Sequence, residues 1–205
     1  MEILVEGSAE RMVSPDVGEL FLMLEQEGND REFVVGLTSE LARRFSEAVA
    51  PLRPASVVRW SLDPIRVHTW RPEEGTLRYR AMANSKILFR DFQALADFAV
   101  SWGSAPGVEI HYTDWRLSPE TEQRLETELL TEAVAAGRRR AEAMATAAGA
   151  AITSCVELSD HQPVSGVAAR GAWMGTTAAS SDGGAVVEPR DVHLSVTVYA
   201  RYQAG

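Results

Sequence analysis

A chain of 205 residues can bury a substantial core as one domain, and 45% hydrophobic with 24% charged residues is ordinary for a globular protein. The formal net charge of -9 repels phosphate backbones and anionic headgroups, which argues against nucleic acid and membrane surfaces as partners. Cys155 is the only cysteine, so no intrachain disulfide can form, and no apolar run approaches the ~18 residues of a membrane helix.

Residues 2–12 alternate irregularly and contain Gly7 and Ala9, which predicts a strand that another element approaches closely. Ser14-Pro15-Asp16 reads as a turn. In 17–26, Leu20, Leu22 and Leu24 form one apolar face of a second strand, expected to pair with the first as a hairpin. Asn29 followed by Glu32 is close to a capping box, and Phe33 or Val34, Leu37, Leu41, Phe45 and Ala48 continue at helical spacing. Pro51 and Pro54 end that helix. Residues 56–70 and 76–90 are expected to form a long hairpin whose first arm breaks at Pro64, which cannot donate to a ladder. Asp91 caps a short helix with Phe92, Leu95, Phe98 and Ala99 inward and Gly103 at its close. Val108, Ile110 and Tyr112 then alternate as a strand.

The most strongly specified stretch is 118–149. Ser118 is a good N-cap and Pro119 suits the first helical position. Glu120 and Glu122 complement the positive end of the dipole, and Gly149 supplies the left-handed stop. Leu125, Leu129, Ala133, Ala136, Arg140, Met144 and Ala148 fall at steps of three and four, one stripe on a helix of about 45 Å. The alanines narrow the stripe, so this half can approach a sheet or another helix closely. Residues 151–158 and 191–202 read as closing strands. Between them, 162–189 is rich in Gly, Ala and Ser without a usable period, and is expected to be a mobile loop. The fold class is therefore α+β, an antiparallel sheet packed against helices, with one long helix at about 119–148 in a single domain over 1–205.

Several of these stretches resemble the SIMPL domain family, a family of unknown function that includes the bacterial periplasmic immunogenic protein group. Gly7, Ala9, Pro15 and Asp16 match its opening strand, Pro-Asp and second strand. Tyr79-Arg80-Ala81, then Ala133-Val134, Arg140-Ala141-Glu142, Ala145 and Gly149, and finally Val192, Leu194, Val196, Val198 and Tyr199 follow in the family's order. Arg140 stands where the family often has lysine. The resemblance implies an α+β fold with an antiparallel sheet. It also implies membership of a group whose members are often periplasmic or secreted, and some of which form rings or other oligomers. It supplies no catalytic residues. In the sequence as given no export signal is legible, which departs from what the resemblance implies, as does the long, Trp-containing loop. As given it reads as cytoplasmic; a trimmed chain would read as periplasmic or secreted.

Chemistry is sparse. His68, His111, His161 and His193 form no HxH or HxxxH pair, although His68, His111 and His193 lie in predicted strands that could converge on one sheet. No metal site, cofactor site or catalytic set is assigned. There is no G-x-S-x-G elbow, since Val164-Ser165-Gly166 lacks the preceding glycine, and Gly183-Gly184 lacks the strand and helix of a dinucleotide site. Glu25 and Glu27 read as a solvated face. Cys155, in the apolar run Ala151, Ile152, Val156 and Leu158, is expected to be a buried, inert thiol. Trp173-Met174 is the local oddity: a large aromatic in a small-residue stretch either docks on a partner or folds back on its own domain. Trp60, Trp70, Trp102 and Trp115 are expected at the core or its rim. These observations favour a non-enzymatic, self-associating interaction domain that is a homo-oligomer or takes a protein partner, with Trp173 and Met174 as contact residues. A carrier of apolar small molecules, with a pocket between sheet and long helix, is the alternative. A hydrolase or metal-dependent enzyme comes third.

Overall fold

The computed structural model describes residues 1–72, 75–161 and 189–205. Chain contacts divide them into two compact units. The first comprises Met1–Ser14, 117–161 and Asp191–Gly205; the second, Pro15–Arg116 with 189–190, is inserted in sequence after the first strand of the other. The α+β class and the long helix stand as expected, but the strands are shared between two antiparallel sheets.

In the first unit, β1 (Glu2–Val13), α3 (Pro119–Ala147), β7 (Ile152–Ser159) and β8 (Val192–Ala204) form a three-stranded sheet of order β1-β8-β7 under one helix. β1 pairs with β8 without interruption from Glu2↔Gln203 to Val13↔Val192. The expected hairpin between the first two strands is thus absent: Ser14-Pro15-Asp16 is where the chain leaves one sheet for the other. Alternation of apolar residues reports which face of a strand is buried, and says nothing about which strand lies beside it.

Helix α3 starts as expected, with the Ser118 Oγ accepting from the Thr121 amide at 3.4 Å, and ends before Gly149 at φ 74°. Its buried stripe differs from the predicted one after Ala133. The buried residues are Leu125, Leu129, Ala133, Gly137, Ala141 and Ala145, while Arg140 and Met144 face out. This is an unbroken i, i+4 row, inclined about 26° to the helix axis, and it is picked out by size. A Cβ placed on Gly7 would lie 2.1 Å from the Ala133 carbonyl oxygen and 2.5 Å from the Gly137 nitrogen. Backbone therefore meets backbone where α3 crosses β1, the close approach that Gly7 and the alanines foretold. The Ala-rich half of α3 is tightly packed on Ile3, Val5, Ala200 and Tyr202. Arg11 on β1 adds ion pairs to Glu128 (2.8 Å) and Glu132 (2.5 Å) of α3.

The second unit runs β2 (Val17–Gly28), α1 (Arg31–Val49), a short 3₁₀ turn (Ala50–Leu52), β3 (Val57–Leu62), β4 (Arg66–Trp70), β5 (Arg78–Phe89), α2 (Phe92–Gly103) and β6 (Val108–Arg116). Its sheet order is β3-β5-β2-β6, with β4 continuing along the edge of β5 beyond the break at Pro64, as the broken-arm reading requires. Two β-α-β crossovers are interleaved, each leaving room for a strand of the other, which is the split β-α-β or ferredoxin-like arrangement. The α1 cap is Asp30, whose carboxylate accepts from the Phe33 amide at 3.0 Å; Asn29 lies outside the helix. Val34, Thr38, Leu41, Phe45 and Val49 are buried, so Leu37 and Ala48 sit off the expected stripe. Asp91 caps α2 by accepting from the Gln93 and Ala94 amides. Leu20, Leu22, Leu24, Phe45, Ile87, Phe89, Leu95 and Phe98 form the core on one sheet face, where each fully buried apolar side chain contributes about 1.5–3 kcal/mol.

The α3–β1 crossing gives an asymmetric expectation. Gly7→Ala should cost about 3 kcal/mol or more, because its methyl meets rigid backbone. Gly137→Ala has 3.4 Å to the Gly7 Cα and gains helix propensity, so it should stay within about 1 kcal/mol of wild type. Urea unfolding of the two variants measures the difference.

Candidate functional site

Strand β7 is the least covered regular element of the first unit. β8 pairs with one of its edges, and among the described residues no strand pairs with the other. Helix α3 lies over β1 and β8 and barely reaches it. All residues from Thr153 to Glu157 are exposed, as is Leu158. Cys155 is therefore not the buried thiol expected of an apolar run: the run belongs to an uncovered edge strand, where apolar neighbours do not amount to a core. Val156 and Leu158 are 55% and 52% exposed, large values for branched apolar side chains on one strand. Register shifts between Ile152 and Ser154 and between Cys155 and Glu157 bend the strand. Such bulges blunt an edge against indiscriminate pairing. Glu157, the strand's one charge, is held by Arg201 at 3.1 Å, and Arg201 also reaches Glu2 at 3.7 Å.

In the second unit, α1 and α2 cover one face of the five-stranded sheet and leave the other to ionic and aromatic side chains. At one end His68, Trp70, Arg80 and Met82 line an open groove of about 440 Å³. The Arg80 guanidinium lies 5.2 Å over the Trp70 ring, an attraction to the ring's negative face. Arg80 also pairs with Glu25 at 3.1 Å and Glu27 at 3.4 Å, and Arg78 with Glu27 at 2.9 Å. The hydrogen bond from Arg78, opposed by partial desolvation and aided by Arg80, holds the Glu27 carboxyl below the usual carboxylate range. Glu25 and Glu27 are thus pinned by arginines rather than simply solvated. At the other end Glu19, Arg59, Trp60, Ser61, Lys86 and Arg116 surround a second cavity of about 350 Å³.

The histidines do not converge. His68 and His111 lie on β4 and β6 of the five-stranded sheet, separated by β5 and β2, while His193 belongs to β8 of the other sheet, 3.3 Å from Glu10. His161 contacts Asp160 beside it at 2.5 Å. Among the described residues no three His, Cys, Asp or Glu side chains gather at metal-binding distance. Trp60, Trp102 and Trp115 pack on the core as expected, and Trp70 stands at the groove. Trp173 and Met174 lie outside the described residues. Sequence reasoning missed both the β7 edge and the two ionic clusters. The alternation of Glu25 and Glu27 on β2 and of Arg78 and Arg80 on β5 was visible, but only the register Glu27↔Arg80 brings the two sets together.

The architecture is that of an α+β protein in which a ferredoxin-like unit is inserted into a second, three-stranded unit. The pattern that defines the SIMPL family, described as a protein of unknown function (DUF541), matches residues 3–202, nearly the whole chain, and the chain belongs to that family. No curated protein sequence matches it. No helix in the described residues is long and apolar enough to cross a membrane.

Glu27 offers a pH test with a definite sign. Its folded-state pKa is depressed, so its stabilising pairing is present above the ordinary carboxylate value of about 4.3 and is lost as pH falls through the lower folded value. Glu27→Gln should therefore melt below wild type near neutral pH, and the two melting curves should converge in acid.

Proposed function

We propose that the chain is a non-enzymatic assembly module that self-associates by adding the β7 edge of one copy to that of another. The single observation that carries this reading is the exposure of β7 on both faces and along one edge, with Val156 and Leu158 uncovered. Edge-to-edge pairing would give the strand's free N–H and C=O groups partners, and the exposed apolar side chains supply the surface such a contact buries.

A second copy suits this strand for an electrostatic reason. Glu157 is the only charge between Ile152 and Ser159. An antiparallel two-fold pairing centred on Val156 sets Val156 against Val156 and Glu157 against Cys155, so no like charges face one another. The same pairing sets the two Cys155 residues diagonally across the Val156 pair, two positions apart on the ladder, without requiring a bond between them.

Light scattering behind size exclusion tests the reading on three full-length chains. Wild type should be a defined oligomer. Val156→Asp with Leu158→Asp should be monomeric at an unchanged melting temperature, since both side chains are already exposed. A chain with 165–187 replaced by a short Gly/Ser linker should keep the wild-type state. Dissociation of that last variant alone would move the contact to the Trp173 segment, and a monomeric wild type would overturn self-association altogether.

A further inference from the structure

We propose that the cavity bordered by Glu19, Arg59, Lys86 and Arg116 is a binding site for a small oxyanion, of the phosphate-monoester or dicarboxylate class. The proposal is independent of the β7 pairing, since every one of these residues lies in the inserted unit. Its physical basis is a local charge imbalance. Arg59 on β3 and Arg116 on β6 pair with one carboxylate, that of Glu19 on β2, and Lys86 on β5 lines the same cavity. Three cations and one anion line the cavity of a chain whose formal net charge is -9. Asp114, opposite Glu19 on β6, adds one carboxylate near the border and leaves the balance positive. A positive cavity on an acidic protein focuses its field on small anions that the rest of the surface repels.

The bonding within the cluster is also incomplete. Glu19 is buried, with 8% of its surface accessible, and its two oxygens are divided between two arginines. One receives a close hydrogen bond from Arg116, and the other lies 3.7 Å from Arg59, an ion pair rather than a hydrogen bond. Each guanidinium carries five N–H donors in a planar fork, so most of the donors of both remain for a second acceptor. The Lys86 ammonium sits 5.2 Å over the Phe21 ring and has no ion-pair partner among the described residues. Ser61 lines the same cavity and carries a hydroxyl. Two forks, an ammonium and a hydroxyl around about 350 Å³ match an oxyanion with several acceptors. The groove at the other end of the same sheet face provides the contrast. There Arg78 and Arg80 are matched by Glu25 and Glu27, so it holds no excess charge for a ligand to neutralise.

Glu19 then acts as the resident competitor for the arginines, and this gives the proposal a test that a purely structural cluster would fail. Inorganic phosphate and succinate are titrated separately into the full-length chain, with binding followed by calorimetry and by amide shifts. Wild type should bind at least one of them saturably at one site per chain, with affinity falling as salt rises. Arg59→Ala with Lys86→Ala, both exposed side chains, should weaken binding by about tenfold or more, the scale of one or two charge-assisted hydrogen bonds. Glu19→Gln keeps the shape, removes the competing negative charge, and should tighten binding by a comparable factor. Preference for phosphate would identify a phosphorylated ligand, and preference for succinate a carboxylate one. Unsaturable binding of both anions, or affinities unchanged by the double substitution and by Glu19→Gln, would overturn the proposal.

Discussion

The backbone contact between α3 and β1 is the constraint from which the first unit follows. Gly7 has no room for a methyl group against the Ala133 carbonyl and the Gly137 amide, so the height of the helix above the sheet is set by main-chain atoms. At such a height only Gly and Ala fit along the facing row, and the row Ala133, Gly137, Ala141 and Ala145 is what α3 presents. A helix seated so low on β1 and β8 cannot also cover β7, which lies on the far side of β8. The bare helix-side face of β7 thus goes with the same contact that makes the rest of the unit tight.

The inserted unit is held by the opposite strategy. Large side chains fill the space under its two helices, with Phe45 edge-on to Trp60, Phe98 and Trp102 and Phe98 stacked on Trp102. Aromatic pairs of this geometry add to the stabilisation that burial alone supplies. Because both helices lie on one face, the other face of the sheet is left to ionic side chains. Where acids and bases are balanced, as around Glu27, the result is a pinned surface. Where they are not, as around Glu19, the excess positive charge has no partner within the cluster. One sheet face therefore carries two clusters of similar composition and different chemical capacity.

The elements were largely legible because each rests on a local physical rule. Ser118 and Gly149 marked the ends of α3, Asp91 the start of α2, and Pro64 the break between β3 and β4. The readings that failed were those in which a local rule left two neighbouring answers open. Asn29 and Asp30 are both good caps, and only the chain's approach to α1 selects Asp30. Ala136 and Gly137 are both small, and only the crossing with Gly7 selects the glycine. The apolar run around Cys155 looked like core because hydrophobicity is a property of residues, whereas burial depends on what lies above them.

The sequence alone therefore determined the class of fold, the order of its helices and strands, the close approach at Gly7, and the family to which the chain belongs. Those follow from spacing, capping chemistry and residue size, all of which act over a few residues. Tertiary structure decided which strands are neighbours, that β1 and β2 belong to different sheets, that β7 is an edge strand unpaired on one side among the described residues, and that Glu19 pairs with Arg59 and Arg116 beside Lys86. Each of these depends on residues far apart in the chain, such as Glu19 and Arg116 or Gly7 and Gly137, and their meeting is set by strand register and helix height rather than by any local pattern.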